Sequence, residues 1–238
     1  MKLIKDPTSF TVTDFAWNRN KYKYKTFTRN DDNGPRTYNV DDKKVPSVTT
    51  ILSATKSQES RDTLQRWRDR IGEIAARKIT TEAANRGTEM HYVLEQYING
   101  VGYLNLSGEG AHARLMAHKI IENLEPLNII YGSEVYLHYK DLYAGATDLV
   151  GVHDGKPAII DFKQANKLKV REYIEDYYFQ IAAYALAHEW AYGPIEKGCI
   201  CICTKNFEYQ QFTLGKDELD HYKEGWVTKV EQFNRAML

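Results

Sequence analysis

The chain of 238 residues lacks the long apolar segments that are typical of membrane-embedded and secreted proteins. No apolar run approaches the ~20 residues that a membrane-spanning helix needs. The first ten residues, MKLIKDPTSF, lack the apolar centre of a secretory signal peptide. We therefore expect a soluble intracellular protein with no membrane partner, built around one sizeable hydrophobic core.

Cysteine is also scarce, and the three residues of this type fall together in Cys199-Ile-Cys201-Ile-Cys203. Alternation with a period of two is typical of a strand and places all three side chains on one face of a sheet. The pattern therefore favours packing in the core. Iron–sulfur clusters are held by sets of four cysteines, and neither that number nor a suitable spacing is present, so we expect no iron–sulfur cluster.

The net charge is zero, because 32 Lys and Arg balance 32 Asp and Glu. The balance is uneven along the chain, since residues 1–90 hold 18 basic and 12 acidic residues. A phosphate backbone requires a locally positive surface rather than a basic protein overall. The composition is therefore compatible with a nucleic-acid partner.

The segment from Gly145 to Lys163 indicates two apolar strands joined by Asp154-Gly155. This dipeptide favours a two-residue type I′ hairpin turn. The register that follows from the turn places Asp148 directly opposite Asp161, in a closely spaced pair without ladder hydrogen bonds. The hairpin therefore brings two carboxylates together.

Two carboxylates at ~4–5 Å repel each other by about 3–4 kcal/mol at an effective dielectric of ~20. A shared proton or a bound divalent cation would offset this repulsion. Lys163 follows Asp161 by two residues and so lies on the same strand face, beside the small Ala146. An ammonium next to two carboxylates indicates a catalytic site.

Asp148 followed by Asp161-Phe162-Lys163 resembles the signature of the PD-(D/E)xK nuclease superfamily, an acid and then (D/E)-x-K on the next strand of a hairpin. Three further motifs are in the order and spacing of its RecB-type branch: Gly87-Thr-Glu-Met-His91, Gly145-Ala-Thr-Asp148 and Gln180-Ile-Ala-Ala-Tyr184. With Val45-Pro-Ser-Val-Thr-Thr-Ile-Leu52, the chain is most similar to the mitochondrial genome maintenance exonucleases and their phage and bacterial relatives.

The resemblance implies a metal-dependent site. It implies that one or two Mg²⁺ or Mn²⁺ ions are held by His91, Asp148, Asp161 and the main-chain carbonyl of Phe162, an oxygen-rich set that suits hard cations. Lys163 would orient or deprotonate the attacking water, or stabilise the pentacovalent phosphorane. The sequence leaves these three roles open.

Other residues are candidates through the same resemblance. Glu134, on the strand before the hairpin, is either a surface acid or a catalytic residue that supports the metal or Lys163. Gln180 and Tyr184 lie one helical turn apart and face the same way. The resemblance places this pair near the metal and the DNA, and plain packing is the alternative.

Four more residues are candidate DNA contacts with structural alternatives. Ser47 is the expected N-cap of a helix whose free N–H groups could hold a phosphate, or simply a cap. Arg66, Arg70 and Arg86 belong to an arginine-rich helical stretch over residues 59–98, where Gly87 would let a second helix start or another segment pass close by. These arginines either line a channel for a DNA strand or pair with neighbouring acids.

The order of the predicted elements indicates an α/β fold, a restriction-endonuclease-like core with a central mixed β-sheet flanked by helices. Residues 1–60 are predicted to form an N-terminal β-hairpin and helix extension. Residues 61–238 would form a single nuclease domain with a helical lobe over 61–125. Lys21-Tyr-Lys-Tyr-Lys25 is predicted to be a strand with its lysines on one face, either solvated or contacting a nucleic-acid backbone.

The resemblance implies a DNA exonuclease that digests single strands from their ends, in replication, recombination or repair. A structure-specific or flap endonuclease is the alternative among enzymes, and a catalytically inert DNA-binding protein is the alternative of a different class. A glycosidase would use the two acids but leaves Lys163 and His91 unexplained. No Arg- and Ser-rich transit segment precedes the predicted fold, so a bacterial or phage-infected cytoplasm is expected rather than a mitochondrion.

Overall fold

The computed structural model of the protein describes residues 15–32, 34–101 and 108–237. Its strands are β1 (Ala16–Trp17), β2 (Thr28–Asn30), β3 (Thr37–Val40), β4 (Lys43–Pro46), β5 (Leu127–Tyr139), β6 (Tyr143–His153), β7 (Lys156–Ala165), β8 (Lys197–Thr204) and β9 (Tyr209–Leu214). Its helices are α1 (Val48–Ala54), α2 (Gln58–Ile71), α3 (Glu73–Ile98), α4 (Gly108–Ile121), α5 (Glu175–Ala191) and α6 (Lys216–Ala236).

Six strands form the central sheet in the order β1-β5-β6-β7-β8-β9. Strands β5, β6 and β7 are an antiparallel meander, while β8 runs parallel to β7 and β1 runs parallel to β5. The β6–β7 turn has positive φ at both Asp154 (49°) and Gly155 (75°), as a type I′ turn requires. The predicted mixed sheet and the predicted hairpin register are confirmed, with Val150 opposite Ile159.

Helices cover both faces of the central sheet. One core contains α1, α5 and α6 packed on side chains such as Val150 and Ile159. The other core contains α3 and α4 packed on alternate side chains of the same strands, such as Leu149 and Ile160. The three cysteines all lie in this second core and are buried and free, so their predicted packing role is confirmed.

A separate antiparallel sheet, β2-β3-β4, packs against β6, an interior strand of the central sheet. Its buried side chains Tyr38, Val40 and Val45 contact Ala144 of β6. The chain then enters α1, where the Ser47 hydroxyl accepts a hydrogen bond from the main-chain N–H of Thr50 at 3.0 Å. The predicted N-cap is therefore confirmed.

The helical stretch predicted over residues 59–98 is present as two helices, α2 and α3, and the break between them lies at Gly72 and not at Gly87. Gly72 has φ +83°, a conformation that costs other residues energy. Gly87, the position predicted to start a helix or admit a neighbour, lies inside α3, where a Cβ would approach Gln164 at 3.3 Å. Within the described α2, no side chain is buried, and Leu64 is 42% exposed.

The strand predicted at residues 21–25 is also wrong, because this segment forms no ladder with a neighbour. Its tyrosines are half-buried against aromatic side chains of other elements, while its lysines are exposed. The helix that carries Gln180 and Tyr184 begins at Glu175, after a 3₁₀ turn at Arg171–Tyr173. Among the described residues, no helix is both long and apolar enough to cross a membrane.

Candidate active site

The site lies where β6 and β7 separate. Their ladder ends at the pair Leu149–Ile160, one pair before the two acids. Beyond this pair β7 continues its pairing with β8, which runs from Ala158 to Ala165, while β6 remains paired with β5. Asp148 accepts a hydrogen bond from the main-chain N–H of Phe162 at 2.6 Å, so its carboxylate occupies the gap. The two acids are neighbours in register, but no ladder pair joins them.

Glu134 reaches the same point from β5. It stands between Ser133 and Val135, which pair with Leu149 and Thr147 respectively, so it lies across from Asp148. Its φ of +51° is uncommon outside glycine and indicates a locally strained backbone. Glu134 is half-buried and lines the central cleft, and its catalytic role stays a prediction.

His91 completes a cluster of possible metal ligands. The helix α3 places its Nδ1 atom 3.2 Å from Oδ1 of Asp148. One ligand atom from each of His91, Glu134 and Asp148 lies within 4.8 Å of the others. One imidazole and two carboxylates are donors that divalent cations such as Mn²⁺ and Mg²⁺ accept, so these residues fit a metal site.

Asp161 and Lys163 form an adjacent buried pair. The Lys163 ammonium Nζ lies 2.5 Å from Oδ2 of Asp161. The Lys163 side chain is 18% exposed and the Asp161 side chain is 3% exposed. The ring of Tyr177 faces the same ammonium, with its centroid at 5.3 Å. The predicted grouping of two acids and a lysine in one cleft is therefore seen, with Asp161 bound to Lys163 rather than to His91.

The charges in this cluster shift each other's pKa values. Burial, followed by the negative charge of Asp148, raises the pKa of Glu134 to about 7. Burial also opposes charge on His91, but the nearby carboxylate of Asp148 outweighs it and raises the pKa of the imidazole. Burial acts in the same way on Lys163, where the charge of Asp161 outweighs it and raises the pKa. A carboxyl group such as that of Glu134, whose ionisation is opposed by a neighbouring carboxylate, is a favourable environment for a cation.

The cluster opens into a cleft of about 660 Å³. Gln180 and Tyr184 of α5 line it, and Nε2 of Gln180 lies 3.4 Å from the Tyr184 hydroxyl. Gly145 allows this approach, since a Cβ there would lie 2.7 Å from Cε1 of Tyr184. The glycine of the Gly145–Asp148 motif is therefore explained by its contact with a ring from another element.

Not every predicted DNA contact lines this cleft. Ser47 does, although its hydroxyl also caps α1. Arg86 lines a neighbouring cavity of about 300 Å³ and donates hydrogen bonds to Gln164 and Asn166. Arg66 and Arg70 are exposed on α2, outside the set of described residues that line the cleft. The metal-ligand role of the Phe162 carbonyl stays a prediction.

The small sheet contributes two arginines that the sequence analysis did not identify. Arg29 and Arg36 line the cleft, and both donate to the carboxylate of Asp31, at 2.6 and 2.7 Å. Because one acid serves two guanidinium groups, the trio has a net positive charge. Two arginines that flank the turn-forming run Asp31-Asp-Asn-Gly34 are the sequence signal that could have revealed this pair.

No family model matches the chain. Mitochondrial genome maintenance exonuclease 1 of Xenopus tropicalis is 27% identical over 205 residues, which are 80% of this chain and 58% of that protein. The mouse protein is 27% identical over 201 residues, and the human protein is 24% identical over 201. The chain thus spans 58–59% of the length of these curated relatives.

Among solved structures, a candidate exonuclease from Eubacterium rectale superposes with a TM-score of 0.45 and 15% identity, over 63% of this chain and 64% of that one. This likeness is too distant to add to the description of the site. The relatives found by sequence are the proteins that the motifs resembled. The chain is therefore similar, over about 80% of its length, to the mitochondrial genome maintenance exonucleases.

Proposed function

We propose that the protein is a metal-dependent deoxyribonuclease that hydrolyses phosphodiester bonds of single-stranded DNA from an end. One observation carries the proposal: three acids, a histidine and a lysine from three strands and a helix converge in one cleft. Acids and a lysine in this arrangement are the donors that metal-assisted phosphodiester hydrolysis requires. The similarity to exonucleases supports the same activity.

A divalent cation would be held by His91, Glu134 and Asp148, with Asp161 and the Phe162 carbonyl as the further ligands implied by the family pattern. When bound, such an ion lowers the pKa of a coordinated water and neutralises negative charge on the phosphate. The donor set is mostly oxygen, and for this reason Mg²⁺ or Mn²⁺ is proposed. The protein's own contribution is to hold these side chains at the point where β6 and β7 separate.

Lys163 contributes a positive charge to the cleft. Its ion pair with Asp161 holds the ammonium in place and keeps it protonated. A charged ammonium donates hydrogen bonds, so it suits orienting the attacking water or stabilising the extra negative charge on phosphorus better than it suits removing a proton. The ring of Tyr177 restricts the ammonium from one side.

The cleft also has the features that a single strand of DNA requires. Arg29 and Arg36 offer guanidinium groups to phosphate oxygens at its rim. Tyr92, 47% exposed, lies on its wall and offers an aromatic surface to an unpaired base. Stacking on a base face needs unpaired bases, so these features favour single strands over duplex.

The experiment that tests the proposal uses an oligonucleotide labelled at one end, incubated with Mg²⁺, Mn²⁺ or EDTA. We expect stepwise shortening with either ion and none with EDTA. The Asp148→Asn variant should be inactive under all three conditions, because it loses a carboxylate that faces both His91 and the Phe162 N–H. Cleavage that persists in EDTA would refute the metal-dependent mechanism.

A second substrate separates the alternatives. Circular single-stranded DNA should resist an obligate exonuclease, whereas a flap or structure-specific endonuclease built on the same core would open circles or cut at junctions. A protein that binds both DNAs and cuts neither would be the inert DNA-binding alternative.

A further inference from the structure

A second cavity, of about 390 Å³, adjoins the candidate active site. It is lined by residues of the segment 19–26 and by the part of β5 that carries Glu134. Glu134 also lines the main cleft, so the two cavities share this residue. The volume falls within the ~300–1,000 Å³ of small-ligand pockets. The second cavity is therefore large enough to hold a part of a substrate that extends beyond the reacting phosphate.

The charge at this cavity is positive. Residues 15–30 contain five Lys and Arg and no acid. Arg19, Lys23 and Lys25 line the cavity and are exposed, which leaves their cationic ends accessible to a ligand. Arg19 is held by stacking on Trp17, with 3.5 Å between its guanidinium carbon and the ring centroid. An anionic ligand is the complement of such a surface.

The tyrosines of the same segment fix it to the fold. The ring of Tyr22 packs against those of His188 and Tyr131, with centroids 4.9 and 5.4 Å apart. The Tyr24 hydroxyl lies 3.1 Å from Nε2 of His188. The ring of Tyr24 also lies so close to Gly132 that a Cβ there would stand 2.8 Å from it. Side-chain packing thus replaces the missing strand pairing and leaves the intervening lysines pointing to solvent.

We propose that Arg19, Lys23 and Lys25 form a phosphate-binding site for the DNA strand that occupies the main cleft, at phosphates beyond the scissile one. The inference rests on the proposed function for the identity of the ligand. An acidic protein segment would also complement the charge, but the lining residue shared with the cleft favours a ligand that runs continuously through both cavities, as a strand does.

The test compares a double variant, Lys23→Gln with Lys25→Gln, with a control double variant, Lys156→Gln with Lys216→Gln. The control lysines are exposed and line neither cavity. The affinity of each protein for labelled single-stranded DNA is measured by fluorescence anisotropy in EDTA, which prevents cleavage. Oligonucleotides of about 4 and about 16 nucleotides span the range of single-strand site sizes.

We expect the Lys23/Lys25 variant to bind the longer oligonucleotide roughly tenfold or more weakly at low salt, with a difference that shrinks as salt rises, because each lost phosphate contact reduces the salt dependence. Binding of the shorter oligonucleotide, which fills only the main cleft, should be unchanged. Equal affinities for the variant and the control at every length and salt concentration would overturn the proposal.

Two further measurements separate this inference from the proposed function. If the Lys23/Lys25 variant binds long DNA weakly but the wild-type protein cuts no DNA, the proposed nuclease activity is refuted and the proposed binding site is supported. If the Lys23/Lys25 variant binds DNA as tightly as the control and the wild-type protein cuts DNA, only the proposed binding site is refuted. If polyglutamate binds the wild type as tightly as DNA does and the variant loses it equally, the ligand is an acidic protein and the DNA assignment fails.

Discussion

Replacing Gly145 with alanine tests the link between the motif and the site directly. Gly145 does not have a positive φ, so alanine is compatible with its backbone. In open space a Gly→Ala change in such a strand would stabilise the protein by about 0.4–1 kcal/mol, through the entropy of the unfolded chain. The structure predicts the opposite sign, because the added Cβ would lie 2.7 Å from Cε1 of Tyr184.

The size of the effect follows from the packing around Tyr184. Carbon atoms rest at ~3.5–4.0 Å, so the ring must move by about 1 Å. Tyr184 is 3% exposed and lies among the core residues of α5, which cannot yield freely. Overpacking of this kind costs about 1–3 kcal/mol. A shift of ~1 Å beside the reacting groups can also cost on the order of 10²-fold in rate.

Urea unfolding and the rate of DNA cleavage measure the two consequences. We expect lower stability and slower cleavage in Gly145→Ala, and neither in Gly108→Ala, a position in α4 where a Cβ meets no atom within 4 Å. Adding Tyr184→Leu should remove the clash. The loss of unfolding free energy in the double variant should therefore be smaller than the sum of the losses in the two single variants. A Gly145→Ala protein that is as stable and as active as the wild type would refute the reasoning.

Three further predictions concern charge. Asp161→Asn should abolish cleavage in the end-labelled assay and lower the melting temperature, because the buried Lys163 ammonium loses its partner; unchanged activity would show that Asp161 is not part of the site. Arg36→Gln should raise the KM for single-stranded DNA several-fold with a smaller change in kcat, and steady-state kinetics that show only a kcat loss would exclude a binding role. Burial lowers the pKa of His188, so folding favours the neutral imidazole. The contribution of His188 to stability should be complete above the unfolded-state pKa of ~6.5 and be lost as the pH falls below that value. In urea titrations, His188→Gln should therefore lose less stability between pH 7.5 and pH 5.5 than the wild-type protein does.

The sequence alone determined the local parts of this protein. Asp154-Gly155 specified the turn and therefore the register of β6 and β7, because the conformation of a two-residue turn fixes which residues face each other. Ser47 marked the start of α1 through its capping hydroxyl. The motifs around His91 and Lys163 were sufficient to indicate a nuclease-like site, since they combine residue types with a fixed spacing.

The tertiary structure decided how the site opens. Asp148 and Asp161 are not a ladder pair, because the β6–β7 ladder ends at Leu149–Ile160 while β7 stays paired with β8 and β6 stays paired with β5. Nothing local in the sequence marks the residue at which two strands separate. The same holds for the arginine pair Arg29 and Arg36, which a separate sheet brings to the cleft.

The segment 21–25 shows the difference most clearly. Its alternating lysines and tyrosines correctly indicated which side chains point to solvent, because a period of two records exposure. The same pattern could not reveal that the tyrosines pack on His188 and Tyr192, residues more than 160 positions away, in place of pairing with a strand. Local periodicity fixes which face of a segment is buried, and only the folded chain fixes what covers that face.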